Sequence, residues 1–183
     1  DATSVGSVFG GFLAAQGVAT DDLVESAREL TPGRHKLEMD CLRSTGGQQS
    51  FALMSLALEA MVPPVVSLTG WQVGLESNPS YCSARIVRVS TERIRRELDK
   101  RRIVVIAGFQ GIDRNEDITT LGRGGSDTTA VAIAAVLHAD KCQIYTDVAG
   151  VYTADPRKIK EAKKLDEITY DAMLELASLD AQV

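Results

Sequence analysis

Histidine, cysteine and aromatic side chains are scarce in this chain. Of 183 residues, two are His (His35, His138), three are Cys (Cys41, Cys82, Cys142) and 5% are aromatic. Two histidines leave no material for a histidine-rich metal centre or for chemistry that needs several imidazoles. Three cysteines, odd in number and far apart, exclude a disulfide framework and a CxxC metal site, and they fit a reducing, cytoplasmic setting. Absent too is any apolar run near the ~20 residues that a membrane-spanning helix needs, so no membrane partner is expected. Residues 1–20 lack the basic start of a secretory signal. The charge balance, 20 Lys+Arg against 25 Asp+Glu for a net charge of −5, lacks the basic excess of a nucleic-acid binder. Repeats and low-complexity tracts are missing as well. What remains, 44% hydrophobic and 25% charged, is the composition of a soluble globular protein. At this length one domain with a real core is expected.

Helical patterns alternate with short apolar runs. Asp21–Leu30 opens with two acids, which suit the positive end of a helix, and stops at Thr31-Pro32-Gly33. Gln48–Met61 is rich in helix formers and ends before Pro63-Pro64, after which Val65–Thr69 reads as a buried strand. Ser90 can cap the helix TERIRRELDK, which feeds the clearest buried strand, Ile103–Ala107. Ser126-Asp127-Thr128 gives a cap signal ahead of TTAVAIAAVLHA. Cys142–Thr146 reads as a short strand, and Thr169 can cap a last helix, YDAMLELAS. This alternation predicts an α/β sandwich with a parallel or mixed sheet covered on both faces.

Two segments carry chemistry. In ITTLGRGGSDTT (118–129), Gly122, Gly124 and Gly125 surround Arg123, and a helix opens at Ser126-Asp127. Adjacent glycines let the backbone approach a ligand, free helix-start N–H groups favour an anion, and a guanidinium fork suits carboxylate or phosphate. A solvent-facing Gly-rich turn with a cap is the plain alternative. In YTDVAGVYTADPR (145–157), Thr146 and Asp147 fall at the end of an expected strand, where open α/β sheets place ligands. Tyr152 could stack on a base and Arg157 could meet a phosphate; the alternative makes Asp147 and Asp155 turn residues and Tyr152 a core residue. The basic run RKIKEAKK (157–164) is interrupted by Glu161 and Ala162 and reads as solvated surface. The cysteines read as incidental or buried thiols and Trp71 as a packing residue.

Together the segments resemble the aspartokinases, a branch of the amino acid kinase superfamily. The wording GFQGIDRNEDITTLGRGGSDTTA (108–130), IYTDVAGVYTADPR (144–157) and KKLDEITYDAMLELASL (163–179) is similar to that family nearly throughout. SLTGWQVG (67–74), SARIVRV (83–89) and, more weakly, LEMDCLRSTG (37–46) and ATDDL (19–23) extend the match. The resemblance implies a three-layer αβα sandwich with a mainly parallel sheet, of the amino acid kinase (carbamate kinase-like) type. It also implies ATP and Mg2+ as cofactors, L-aspartate as substrate and 4-phospho-L-aspartate as product, the entry step to lysine, threonine and methionine. By resemblance, Thr146, Asp147, Tyr152, Thr153, Ala154, Asp155, Pro156 and Arg157 match nucleotide-binding positions. Arg123, with Gly124, Gly125 and Ser126, matches the substrate-carboxylate site, and Thr20 a substrate-contacting threonine. Asp127 matches the aspartate that organises phosphoryl transfer. No residue is read as a metal ligand. Dimers are common among such proteins, which leaves a homo-oligomer open.

The resemblance breaks at defined places. Asp1-Ala2 stands where the family has the glycine pair of a Lys-Phe-Gly-Gly-Thr-Ser phosphate loop, and no residue here matches its lysine. Ala14 replaces a serine, Gly47 a glutamate that meets the substrate's amino group, Asp180 a glycine and Gln182 an ATP-contacting lysine. Residues 1–183 are therefore expected to form one incomplete catalytic domain, without the regulatory ACT domains that usually follow. The main expectation is an aspartate kinase. The alternative is a catalytically impaired homologue that binds nucleotide or a partner subunit.

Overall fold

The computed structural model describes residues 12–13, 19–30, 35–61, 64–122, 124–145, 150–154, 159 and 161–173. The chain divides into two compact units, Asp1–Cys142 and Gln143–Val183.

The first unit is organised around a strand whose sequence is apolar at every position. In Ile103–Ala107 (β5), successive side chains point to opposite faces, so an uninterrupted apolar run must be covered on both. Val104 and Ile106 join Leu68, Val73, Leu75, Ile94 and Ile133 in one cluster. Val105 and Ala107 pack with Phe51 in another. Phe51 belongs to helix α2 (Lys36–Glu59), whereas Ile94 and Ile133 come from α3 (Glu92–Asp99) and α4 (Gly125–Leu137). Helix, sheet and helix thus form the three layers expected.

β5 lies between β1 (Phe12–Leu13) and β2 (Val65–Leu68), parallel to both. Phe12 pairs with Ile106 and Leu13 with Ala107, while Val65 through Leu68 pair with Ile103 through Ile106. A second, mixed sheet has the order β4 (Ile86–Val89), β3 (Leu75–Ser77), β6 (Gln110–Ile112), β7 (Ile118–Thr120). Its β3–β6 pairing is parallel and the other two are antiparallel. Helix α1 (Ala19–Leu30) packs on α2.

Four local expectations change. The helix expected from Gln48 begins twelve residues earlier, at Lys36, and runs through Gly46 and Gly47. Glycine pairs weaken isolated helices, but here Asp40, Ser44, Gly47 and Phe51 form a buried stripe, and small or polar members conceal it from hydrophobic periodicity. Ser126–Thr128 do not cap α4; its N-cap is Gly124, so these three residues form the first turn. The strand expected at Cys142–Thr146 is not formed over Cys142–Tyr145. Among the described residues they have no ladder partner, and Ile144 and Tyr145 are 45% and 88% exposed. Ser90 is not the cap of α3 either: the N-cap is Thr91, and Ser90, one place before it, accepts the Glu92 N–H on its Oγ at 3.4 Å.

At the outer helix, the Glu97 carboxylate is nearly buried and collects Arg102 at 2.9 Å, Arg93 at 3.0 Å and Lys100 at 3.5 Å. Burial pushes its pKa up, and Lys100, Arg102 and Arg93 together pull it below the ordinary 4.5.

In the second unit, Thr153 and Lys163 exchange two hydrogen bonds. The Thr153 N–H donates to the Lys163 carbonyl at 2.9 Å, and the Lys163 N–H donates to Thr153 Oγ1 at 3.0 Å. Tyr152 and Lys164 form an isolated antiparallel bridge beside them. Thr169 starts a helical turn over residues 170–173, its Oγ1 accepting the Ala172 N–H at 3.3 Å. The remainder of the expected last helix lies outside the described residues.

Candidate active site

Because β1, β5 and β2 are parallel, their carboxyl ends share one edge, the edge where open α/β sheets bind ligands. At that edge Gly108 follows β5, and a Cβ placed on it would lie 3.3 Å from the Ser126 Cα, so the start of α4 sits directly against the strand end. Phe109 comes next in the left-handed region, at φ 71°. A non-glycine residue pays about 1–2 kcal/mol there, an expense that concentrates at functional sites. Two bonds hold it: its N–H donates to Thr129 Oγ1 at 3.1 Å, and its carbonyl accepts the Leu121 N–H at 2.8 Å. Thr129 Oγ1 in turn donates to the Gly125 carbonyl at 2.7 Å.

The glycine turn is closed by the Gly125 N–H, which donates to the Gly122 carbonyl at 3.0 Å. Gly124 has φ 74°, and among the described residues nothing lies within 4 Å of a Cβ placed on it. Gly125 is the opposite case. A Cβ there would fall 2.5 Å from Leu121 Cβ and 2.9 Å from Phe109 Cδ2, so only glycine lets the first residue of α4 pack so closely. Ser126 is half-buried and Asp127 exposed in the first turn, where unpaired N–H groups and the helix dipole favour an anion.

Of the residues read from sequence, Gly124, Gly125, Ser126 and Asp127 are therefore gathered at one helix start. Thr20 is half-buried in the first turn of α1, and among the described residues it makes no hydrogen bond to the glycine turn. Tyr152 and Ala154 are half-buried and Thr153 exposed in the second unit. Arg123, Thr146, Asp147, Asp155, Pro156 and Arg157 lie outside the described residues.

Residue-level reading overlooked the supports of this turn. Asp40 is fully buried (0% exposed) on α2. Its Oδ2 accepts the Cys82 N–H at 2.8 Å and the Thr120 N–H at 2.9 Å, and its Oδ1 accepts the Thr120 hydroxyl at 2.5 Å. One helical turn on, the Ser44 carbonyl accepts Gln110 Nε2 at 3.2 Å. A Cβ on Gly47 would lie 3.1 Å from that same Nε2. The Asp40, Ser44, Gly47 spacing of four and three residues places them on one helix face, a signal available in the sequence. Among the described residues no group of three or more His, Cys, Asp or Glu side chains could hold a metal by itself, and no helix is long and apolar enough to cross a membrane.

Comparison with known proteins agrees with this geometry. The chain is 54% identical over 171 residues to the aspartokinase of Geobacillus stearothermophilus, and 52% identical over 171 residues to that of Bacillus sp. (strain MGA3). In each case the match covers 93% of this chain and 42% of the relative, so the chain spans less than half the length of these proteins. Among solved structures, the aspartate kinase of Synechocystis superposes with a TM-score of 0.78 at 49% identity, over 94% of this chain and 28% of that one. E. coli aspartokinase III, solved in complex with aspartate and ADP, gives a TM-score of 0.76 at 31% identity, over 88% of this chain and 36% of that one. The model of the amino acid kinase family matches residues 3–183, and this chain belongs to that family.

Proposed function

We propose that the chain is the catalytic portion of an aspartate kinase, transferring the γ-phosphoryl group of ATP to the side-chain carboxylate of L-aspartate. The observation that carries this reading is the glycine turn closing onto the start of α4 at the carboxyl edge of β5, within a segment worded like the aspartokinases. Arg123, Gly124, Gly125, Ser126 and Thr20 are assigned to the amino acid. Thr146, Asp147 and residues 152–157 are assigned to the nucleotide, and Asp127 to organising transfer. The single family match over 3–183 supports treating both compact units as one catalytic domain, incomplete against its relatives. A carboxylate nucleophile is already ionised at neutral pH, so the chemistry asks for alignment and charge screening instead of a general base. Two histidines are then sufficient. Mg2+ keeps much of its water and takes few protein ligands, which fits one exposed carboxylate, Asp127, beside the turn; bound with ATP, it would screen the phosphate charge.

The test is ADP formation that depends on both L-aspartate and Mg2+, with the acyl phosphate trapped as a hydroxamate by hydroxylamine. Asp127→Ala, at an exposed position, should lower turnover about 10²–10³-fold with the melting temperature unchanged. Failure to form ADP at high protein concentration would overturn the kinase reading.

A second reading, a homologue that binds nucleotide without turnover, draws on Gly47. Where the resemblance has glutamate, this chain has a buried glycine with the Gln110 amide against it. It predicts ADP binding by calorimetry in a sample that forms no hydroxamate.

A further inference from the structure

Asp40 is a carboxylate with 0% exposure and no cationic partner among the described residues. Burying a charge in this way is costly unless hydrogen bonds replace its water. Here three donors do so, and they come from two segments remote in sequence: Cys82, and both the N–H and the hydroxyl of Thr120. Those segments also hold each other, since the Ala84 N–H donates to the Thr120 carbonyl at 3.0 Å. Thr120 is the last residue of β7, and from it the backbone is fixed step by step into the site. Leu121 is buried and tied to Phe109, and the Gly122 carbonyl receives the Gly125 N–H.

We infer that Asp40 is a positioning residue for the glycine turn: its carboxylate clamps the end of β7 to α2 and so sets where α4 begins. It touches no residue assigned to substrate and acts through Thr120. Its relevance to catalysis rests on the aspartate kinase reading above, whereas the clamp itself does not.

An amide can replace the carboxylate here without losing a bond. Asn at this position can present its oxygen to the two N–H donors and its NH2 to Thr120 Oγ1, while Ala leaves all three donors without a partner. Hydrogen–deuterium exchange of the ligand-free 183-residue chain therefore separates the cases. In Asp40→Ala, peptides covering 118–127 should exchange about tenfold faster, with β2 and β5 keeping their wild-type protection. Asp40→Asn should restore protection to within about threefold. A uniform rise across β2, β5 and the turn would reduce Asp40 to a general stabiliser and overturn the proposal, as would no change at all. Should Asp40→Ala fail to fold, Thr120→Val removes only the hydroxyl bond and should speed exchange at the same peptides about threefold; unchanged protection there overturns the proposal equally. L-aspartate titrations on the same samples read the other question. Weaker binding in Asp40→Ala, restored in Asp40→Asn, supports the clamp's role in the site. Absence of L-aspartate binding in the wild-type chain counts against the kinase reading and leaves the exchange result standing.

Discussion

Gly122, Gly124 and Gly125 stand within four positions of one another, and alanine at each should fail or succeed for a different reason. At Gly125 the new methyl meets Leu121 and Phe109, so Gly125→Ala should cost about 1–3 kcal/mol and displace the start of α4. At Gly124 there is room, but φ is 74°, and the expected cost is about 1–2 kcal/mol of backbone strain. Gly122 has neither obstacle, so Gly122→Ala should lie within about 0.5 kcal/mol of wild type. Urea midpoints of the three variants check the order. Sequence alone makes the three look interchangeable, because a glycine letter records neither φ nor the distance to the next side chain. It likewise suggests a cap in Ser126-Asp127-Thr128, since three good capping residues precede an apolar helix. The left-handed Gly124 takes that role instead, and Thr128 and Thr129 turn their hydroxyls back to the carbonyls of Gly124 and Gly125.

Among the elements, β5 is the most legible in the amino-acid sequence. Five apolar residues in a row have no polar face to offer water, and the strand is accordingly central and covered on both sides. Ile106→Ala should destabilise by about 2–5 kcal/mol, measured by urea unfolding, because Ile106 is fully buried among side chains of both sheets and two helices. The first half of α2 is the least legible, because its inner face is made of Asp40, Ser44 and Gly47, which hydrogen bonding and close approach bury instead of hydrophobicity. At α3, the Glu97 carboxyl held below 4.5 gives a pH signature. A group depressed in the folded state contributes stability above its unfolded pKa and loses it as pH falls through the folded one. Glu97→Gln should therefore lower the urea midpoint at pH 7, and its deficit should shrink as the pH drops below about 4.5.

For the whole molecule, ligand binding and stability are one measurement. If ADP with Mg2+ and L-aspartate bind the folded chain, each at a hundred times its Kd should add about 2.7 kcal/mol. In a chain of this size that corresponds to a melting temperature raised by about 5–10 °C. A scan unmoved by both ligands would count against nucleotide binding and kinase activity alike. The layer order is readable from strands alternating with helices, and the glycine turn at the start of α4 from LGRGGSD. The scaffold behind it is not. Cys82 and Thr120 lie 42 and 80 residues along the chain from the Asp40 carboxylate that binds them, and no local pattern announces such a meeting.

That separation also has a kinetic side. Closing a loop of 80 residues costs about 4 kcal/mol of chain entropy before a single hydrogen bond is returned. On that cost the clamp between α2 and β7 is expected to form late in folding, after β5 has paired with β2, whose partners Val65 and Ile103 are far closer along the chain. Loss of such an interaction is felt on leaving the native state rather than on reaching it. Asp40→Ala should accelerate unfolding in stopped-flow experiments and leave the refolding rate within about twofold of wild type.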